Sequence, residues 1–320
     1  MDESGNRIDR SSGRIRVIFD TDTNNELDDQ HALAYLLFNG GAFDLEGVTV
    51  NATYNGGGID EHYREAERIL ELSTLHPRIP LVKGATGSFE DIRDEVDGRD
   101  FDGFDAVDFI IKRAMAPSDR ELELLAVGKL TNVALAYHKE PAIAANSRLV
   151  WLGSNYPDPG EYNQDNDEEA MNFLLDTDLP FEMVVVRYGK PSGTDAVRAS
   201  LDEIRRRMPG LGPRTTKPVT GRHGEAFSTF GDYSLDLFEH ADYHGGPLTR
   251  ALYDMAAVAI VKNPTWAKSH RIPAPILRDG VWVERPRNPR TIDVREDFDK
   301  EAILTDFYRS MEKWVLVEPA

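Results

Sequence analysis

Five acids, Asp20, Asp22, Glu26, Asp28 and Asp29, stand within ten residues of one another in the run FDTDTNNELDDQHALAYLL. Like charges packed this closely repel unless a cation or a set of converging donors offsets them. An all-oxygen group of this kind favours a hard ion, calcium or magnesium, over zinc. The blander alternative is a solvated loop whose acids suit the start of a helix. Further along, Asn155, Glu161 and Asn163 lie in a stretch rich in Asn, Pro, Asp and Gly. There, side chains able to hold hydroxyl groups coincide with residues that simply form turns. Asp254 sits at the start of a strongly apolar segment, and His244 in a Tyr-His-Gly-Gly loop.

These side chains can act together only if the fold brings their loops to one place. Short β-branched runs alternate with helical patterns over the first 190 residues. Residues 14–19 (RIRVIF), 47–51 (GVTVN), 80–83, 122–127 (LELLAV), 149–152 and 183–186 read as strands. Helices are expected over 31–38, 59–72, 106–115, 132–138 and 168–175. This alternation implies an α/β fold, a mainly parallel central sheet with helices on both faces, Rossmann-like and open. Ligands in such sheets sit beyond the carboxyl ends of the strands. The acids of 20–29 follow the first strand and so belong at that mouth. Residues 189–246 lose the alternation and read as a lid or insertion in a single domain spanning 14–320. Residues 252–261 and 298–314 read as two closing helices. Residues 1–13 are polar and charged without an apolar core, which suits a flexible tail rather than a signal peptide or anchor.

Composition removes several function classes. The net charge of -19 over 320 residues repels a nucleic-acid backbone. No stretch approaches the roughly 20 apolar residues of a membrane helix. The absence of cysteine excludes disulfides, zinc–thiolate sites and thiol catalysis, and it fits a cytoplasmic protein.

An EF-hand does not fit the acidic segment, because a strand precedes it, Asn25 takes the sixth place and His31 the twelfth. A magnesium-dependent phosphatase of the haloacid-dehalogenase type is the stronger rival, since that family also opens with a strand running into Asp-x-Asp. Asp20 would then be the nucleophile, Asp22 the general acid, and residues 231–236 (GDYSLD) the late acidic motif. Asn24 replaces the Thr or Val expected there, and no clear strand precedes Gly231.

Four segments in order resemble the nucleoside hydrolases. Asp20-x-Asp22 followed by Asp28-Asp29 before an Ala-rich helix is similar to that family's opening. Residues 127–132 (VGKLTN) resemble its strand-end motif, and Asn155…Glu161-x-Asn163 its sugar-binding loop, followed closely by an acid-rich helix start at Asp167. Tyr253-Asp254 resembles its late His-Asp pair. The resemblance covers about 15–261. It implies one Ca²⁺ held by the Asp22, Asp29 and Asp254 side chains and the main-chain carbonyl of Val127. Asp22 would double as general base toward a calcium-held water beneath C1′ of the sugar. Asp28, Asn155, Glu161 and Asn163 would hold ribose, with Asn55 favoured over Asn51 as a further contact. The implied activity is hydrolysis of a ribonucleoside or related N-riboside, in nucleoside salvage, by a homo-dimer or homo-tetramer. The competing outcome is a non-catalytic ribose- or calcium-binding relative.

The sequence departs from this pattern at two places. Residues 23–27 are two longer than the resemblance implies, leaving Glu26 or Asn24 to enter the site or take an added role. Tyr253 stands where many relatives carry a His that protonates the leaving base. A phenol of pKa near about 10 is a weak acid at neutral pH, so His244 is the alternative proton donor.

Overall fold

The computed structural model describes residues 13–319, so the tail expected over 1–13 lies outside them but for Gly13. The first six strands are β1 (Ile15–Thr21), β2 (Phe43–Val50), β3 (Leu81–Lys83), β4 (Leu122–Ala126), β5 (Ser147–Ser154) and β6 (Phe181–Val185). Short strands follow: β7 (Arg198–Ser200), β8 (Val219–Thr220), β9 (Ala226–Phe227) and β10 (Thr249–Ala251). The last four are β11 (Lys268–Pro273), β12 (Ile276–Arg278), β13 (Val281–Val283) and β14 (Thr291–Glu296). Eight of them form one sheet in the order β11-β14-β6-β5-β4-β1-β2-β3. Every neighbouring pair in it is parallel except β11 with β14.

Parallel strands need helical crossovers, and these cover both faces of the sheet. The side chains of β1 show the division: Val17 and Phe19 enter one apolar core, and Ile18 between them enters the other. The first core also holds the helices Asp28–Leu37 and Tyr253–Lys262, which pack on each other. The second holds Phe104–Ala114, Thr131–Lys139 and Glu168–Leu175. Central strands β4 and β6 are buried along their whole length. Edge strand β11 is mostly exposed and carries Lys268, Arg271 and Pro273, residues that discourage pairing with another chain.

The early elements fall close to their expected places, and the helix Ile59–Leu72 falls on them. The two strands added after residue 267 were not expected. Their polar, half-exposed sequence lacks the apolar run of a buried strand, and β14 is recruited by pairing with β6. Within 189–246 the chain carries the helices Leu201–Arg207 and Phe230–Glu239 and the ribbon of β8 with β9.

Strand order reverses between β1 and β4, which are neighbours in the sheet although residues 22–121 separate them. Their following loops diverge to opposite sides and leave a crevice at the carboxyl edge. Asp22 follows β1 and Val127 follows β4. The expected mouth of the fold and the acidic loop therefore coincide.

Candidate active site

Beneath the crevice, Asp20 ties three segments together. Its buried carboxylate accepts hydrogen bonds from Thr49 Oγ1 (2.6 Å), Asn51 Nδ2 (2.7 Å) and Asn132 Nδ2 (2.8 Å). Asn132 Oδ1 in turn accepts from the Ala85 amide at 2.8 Å. The approach is so close that a Cβ on Gly84 would lie 2.3 Å from the Asn132 side chain. Burial nevertheless raises Asp20 to about 6, because the three donors only partly offset desolvation. Asp20→Ala would leave three buried donors unsatisfied at about 1 kcal/mol or more each. We expect a loss of about 3 kcal/mol, read as a lowered denaturant midpoint. A midpoint within about 0.5 kcal/mol of wild type would show that Asp20 is not the tie described.

Above Asp20 lies a cavity of about 570 Å³ lined by Asp22, Asp28, Asp29 and Asp254, all four buried. Two helix N-termini deliver three of them. Asp28 and Asp29 begin Asp28–Leu37, and Asp254 is the second residue of Tyr253–Lys262. Carboxylate oxygens of Asp28, Asp29 and Asp254 lie within 4.8 Å of one another. This trio differs by one residue from the expected Asp22, Asp29 and Asp254. Asp22 faces the trio and raises the pKa of all three members by its charge.

Burial, then mutual repulsion, pushes these groups upward. Asp22 and Asp28 rise to about 6, while Asp29 and Asp254 rise well above the usual carboxylate range. Asp28 and Asp254 stand close enough for each to shift the other. Among the described residues no lysine or arginine forms an ion pair with any of the four. The donor set is oxygen-only, buried and short of positive charge, and it fits a hard divalent cation. Val127 lines the same cavity. Its carbonyl accepts from Asn163 Nδ2 at 2.7 Å and keeps a second lone pair. A Cβ on the next residue, Gly128, would lie 2.9 Å from Asn51 Nδ2 and 3.0 Å from Asp22 Oδ1, so a glycine belongs there.

Neighbouring side chains hold the acids in place. Thr53 Oγ1 donates to Asp22 Oδ2 (2.6 Å), and Thr21 Oγ1 donates to Asp29 Oδ1 (2.5 Å). Buried His62 spans the first two loops, with Nδ1 2.7 Å from the Asp22 carbonyl and Nε2 3.2 Å from that of Asn55. Glu161 caps the helix Tyr162–Asn166, accepting from the Gln164 amide at 3.0 Å, and burial lifts it to about 8. In its protonated form it can donate to a hydroxyl.

Of the expected sugar contacts, Asp28, Asn55, Glu161 and Asn163 line the cavity. Asn51 does not, because its amide is committed to Asp20. Asn155 also stands behind the wall. Its Oδ1 accepts from the Tyr188 amide and its Nδ2 donates to the Pro159 carbonyl, at 3.0 Å each, so it braces Tyr188 instead of facing the cavity. The longer first loop divides. Asn24 does not line the cavity and its Nδ2 donates to the Gly56 carbonyl (2.7 Å), whereas Glu26 lines the cavity and pairs with Arg250, which lines it too.

Tyr253 and His244 line the cavity as well. Tyr253 donates to Asp195 Oδ1 at 2.8 Å, and burial with that carboxylate drives its pKa further up. The phenol proton is thus held by Asp195. His244 lies in an exposed turn beside Asp242, with φ of +49° and its side chain 77% exposed. Tyr188, Arg198, Arg250 and Tyr162 also line the cavity and were not anticipated. Tyr188 follows β6, so the strand-end rule alone could have found it. The hydroxyl clamps Thr21 and Thr53 carry no sequence signal of their own.

The phosphatase arrangement is absent. Asp20 is enclosed by its three donors and does not line the cavity. Residues 231–236 lie inside the helix Phe230–Glu239, where Asp236 meets His223 and His240.

Comparison with known proteins agrees with this geometry. The chain is 28% identical over 176 residues to the pyrimidine-specific ribonucleoside hydrolase RihB of Escherichia coli O17:K52:H18, covering 52% of this chain and 50% of that protein. The RihB of Shigella flexneri is 28% identical over 173 residues, 51% of this chain and 49% of that one. The chain thus spans about half the length of these curated relatives. In fold it is similar to a plant nucleoside hydrolase, PpNRh1, with a TM-score of 0.73, 18% identity, and 93% and 99% of the two chains covered. A purine-preferring ribonucleoside hydrolase from Gardnerella vaginalis gives a TM-score of 0.68 at 20% identity, over 92% and 98%. The family model described as inosine-uridine preferring nucleoside hydrolase matches residues 17–305, a span that takes in the acidic loop, the strand-end motif, the Asn-Glu-Asn loop and Asp254. By that match the chain belongs to the inosine-uridine preferring nucleoside hydrolase family.

Proposed function

We propose that this protein hydrolyses the N-glycosidic bond of a ribonucleoside or related N-riboside, with calcium held by its buried carboxylates. The observation that carries this reading is the meeting of four buried aspartates, Asp22, Asp28, Asp29 and Asp254, with Glu161, Asn163 and Asn55 in one cavity. Its volume of about 570 Å³ suits a small ligand.

Asp29, Asp254 and Asp22 with the Val127 carbonyl would hold the ion, and Asp28 would lie between the ion and a ribose hydroxyl. When bound, calcium orients and acidifies an attacking water and neutralises the clustered charge. Asp22 takes the proton as the water oxygen adds to C1′. The C1′–N electron pair leaves with the base, which gains a proton from an acid or from solvent. Burial makes Asp22 more basic than an exposed carboxylate, which suits a group that accepts that proton. The negative cavity stabilises the oxocarbenium-like sugar, while Glu161, Asn163 and Asn55 fix the ring against rotation. One carboxylate acting on one face predicts single displacement with inversion.

The test is release of reducing sugar from a nucleoside panel, with calcium and with chelator. Calcium-dependent release from at least one N-riboside is expected, and a panel left intact at every calcium level would sink the proposal. The leaving group gives a finer prediction. Because Asp195 holds the Tyr253 proton, Tyr253 is a poor donor to the leaving base, and His244 would have to turn inward to supply one. An activated substrate such as p-nitrophenyl riboside is expected to react much faster than inosine. His244→Ala should slow inosine and spare the activated riboside, since acid help matters only for a poor leaving group. Equal slowing of both would mean that His244 holds sugar or loop.

A further inference from the structure

A second cluster of metal-ligating side chains lies outside the cavity. His223 sits in the turn between β8 and β9, Asp236 lies within the helix Phe230–Glu239, and His240 caps that helix. His223 Nδ1 is 2.7 Å from Asp236 Oδ2, and His240 Nδ1 is 3.2 Å from Asp236 Oδ1. The two imidazoles overlap, with centroids 4.1 Å apart at 31°. One ligand atom from each of the three residues lies within 4.8 Å of the other two.

Two imidazoles and a carboxylate make a donor set of a different class from the four aspartates. Nitrogen donors select borderline ions such as zinc, whereas calcium takes oxygen. Zinc bonds of about 2.0–2.1 Å in a tetrahedron place ligand atoms roughly 3.3 Å apart. Against that spacing the His240–Asp236 separation of 3.2 Å already fits, and the His223–Asp236 separation of 2.7 Å needs to open by about 0.6 Å. Asp236 is buried and His240 is half-exposed, so the cluster has a fixed floor and an entry path. Three protein ligands leave a fourth position for water.

The surroundings indicate what such an ion would fasten. Arg222 Nε lies 3.4 Å from His223 Nε2, and Arg222 Nη1 donates to the Glu26 carbonyl of the first acidic loop at 2.7 Å. The chain leaving His240 runs directly into Asp242, Tyr243 and His244, which line the cavity. We propose that His223, Asp236 and His240 form a second metal site, for a zinc-class divalent ion, that pins the root of the loop bearing His244. Its existence does not depend on the reaction assigned to the cavity.

The experiment uses the full chain, stripped by chelator and then kept in excess calcium so that the carboxylate site is occupied. Zinc is titrated by calorimetry, and cobalt by the visible absorbance of imidazole-bound Co²⁺. One saturable equivalent is expected, with His223→Ala and His240→Ala each weakening it by about tenfold or more. Zinc should raise the melting temperature of wild type and leave that of His240→Ala unmoved, and the melts also establish that the variants are folded. Asp29→Ala should keep its zinc. The proposal is overturned if wild type shows no saturable zinc in calcium, or if both histidine variants bind as wild type does. Loss of the zinc in Asp29→Ala would also overturn it, because the ion would then belong to the carboxylate cavity.

Discussion

Asp22→Asn is expected to lower turnover by about 10²–10⁴-fold at saturating calcium, the range for removing a general base. The amide keeps one oxygen for the ion, and its NH2 can donate to the Thr53 hydroxyl where the carboxylate accepted, but it cannot take a proton from water. Calcium content and folding should therefore survive while the chemical step fails. Asp28→Asn makes the contrast. Asp28 begins its helix within the carboxylate trio and is assigned to a ribose hydroxyl, so its loss should raise KM more than it lowers turnover. Steady-state kinetics on both variants, with metal content measured by emission, decides the matter. If saturating calcium and substrate restored Asp22→Asn but not Asp28→Asn, the two roles would be exchanged. If Asp28→Asn came out free of metal, Asp28 would be a ligand.

Calcium is expected to stabilise the protein strongly at pH 7 and little at pH 5. The sign follows from the raised carboxylates. An acid whose pKa is lifted from 3.8 to about 6 by folding, as for Asp20, Asp22 and Asp28, binds its proton more tightly in the folded chain. Stability of the metal-free protein from these groups is therefore highest below pH ~4 and falls as pH rises through about 6. Asp29 and Asp254, raised further, extend the loss upward. A bound cation removes that penalty, but it must compete with protons as pH falls. At a hundredfold excess over Kd the linked gain is about 2.7 kcal/mol. Melting with calcium and with chelator from pH 5 to 7.5 isolates the effect, because carboxylates elsewhere contribute equally to both curves. Asp29→Ala should lose most bound calcium and most of the increment. An increment that stayed constant across this range, or persisted in Asp29→Ala, would disprove the assignment.

The sequence displayed the parts of the molecule that obey local rules. β1, the helix Ile59–Leu72 and the buried strands β4 and β6 announce themselves through apolar period and β-branched content. The acids at 20–29 stood out because their density is costly without an offset. Asp254 and the Asn-Glu-Asn loop were visible through resemblance and not through any local rule. What stayed hidden depends on distant pairing. Asp20 looked like a candidate nucleophile, and only the approach of Thr49, Asn51 and Asn132 shows it to be a tie between strands. Asn155 matched a motif, yet its amide is spent on Tyr188 and Pro159. β11 and β14 are polar strands whose identity comes from the edge they extend. The meeting of Asp28 and Asp29 with Asp254 is likewise set by two helix ends coming together, which no spacing within one loop encodes.

The two helices that carry the trio, Asp28–Leu37 and Tyr253–Lys262, lie at opposite ends of the chain in time as well as in sequence. At about 5–20 residues per second of synthesis, Asp254 is made roughly 10–50 s after Asp22. Throughout that interval the nascent chain carries the acidic loop without its distant partner, and the ion has no complete shell to enter. Calcium bound as proposed therefore could not template the early sheet. It would act as a late inspector, gripping only those chains whose C-terminal half has already docked, and a truncated product would carry the acids without the grip.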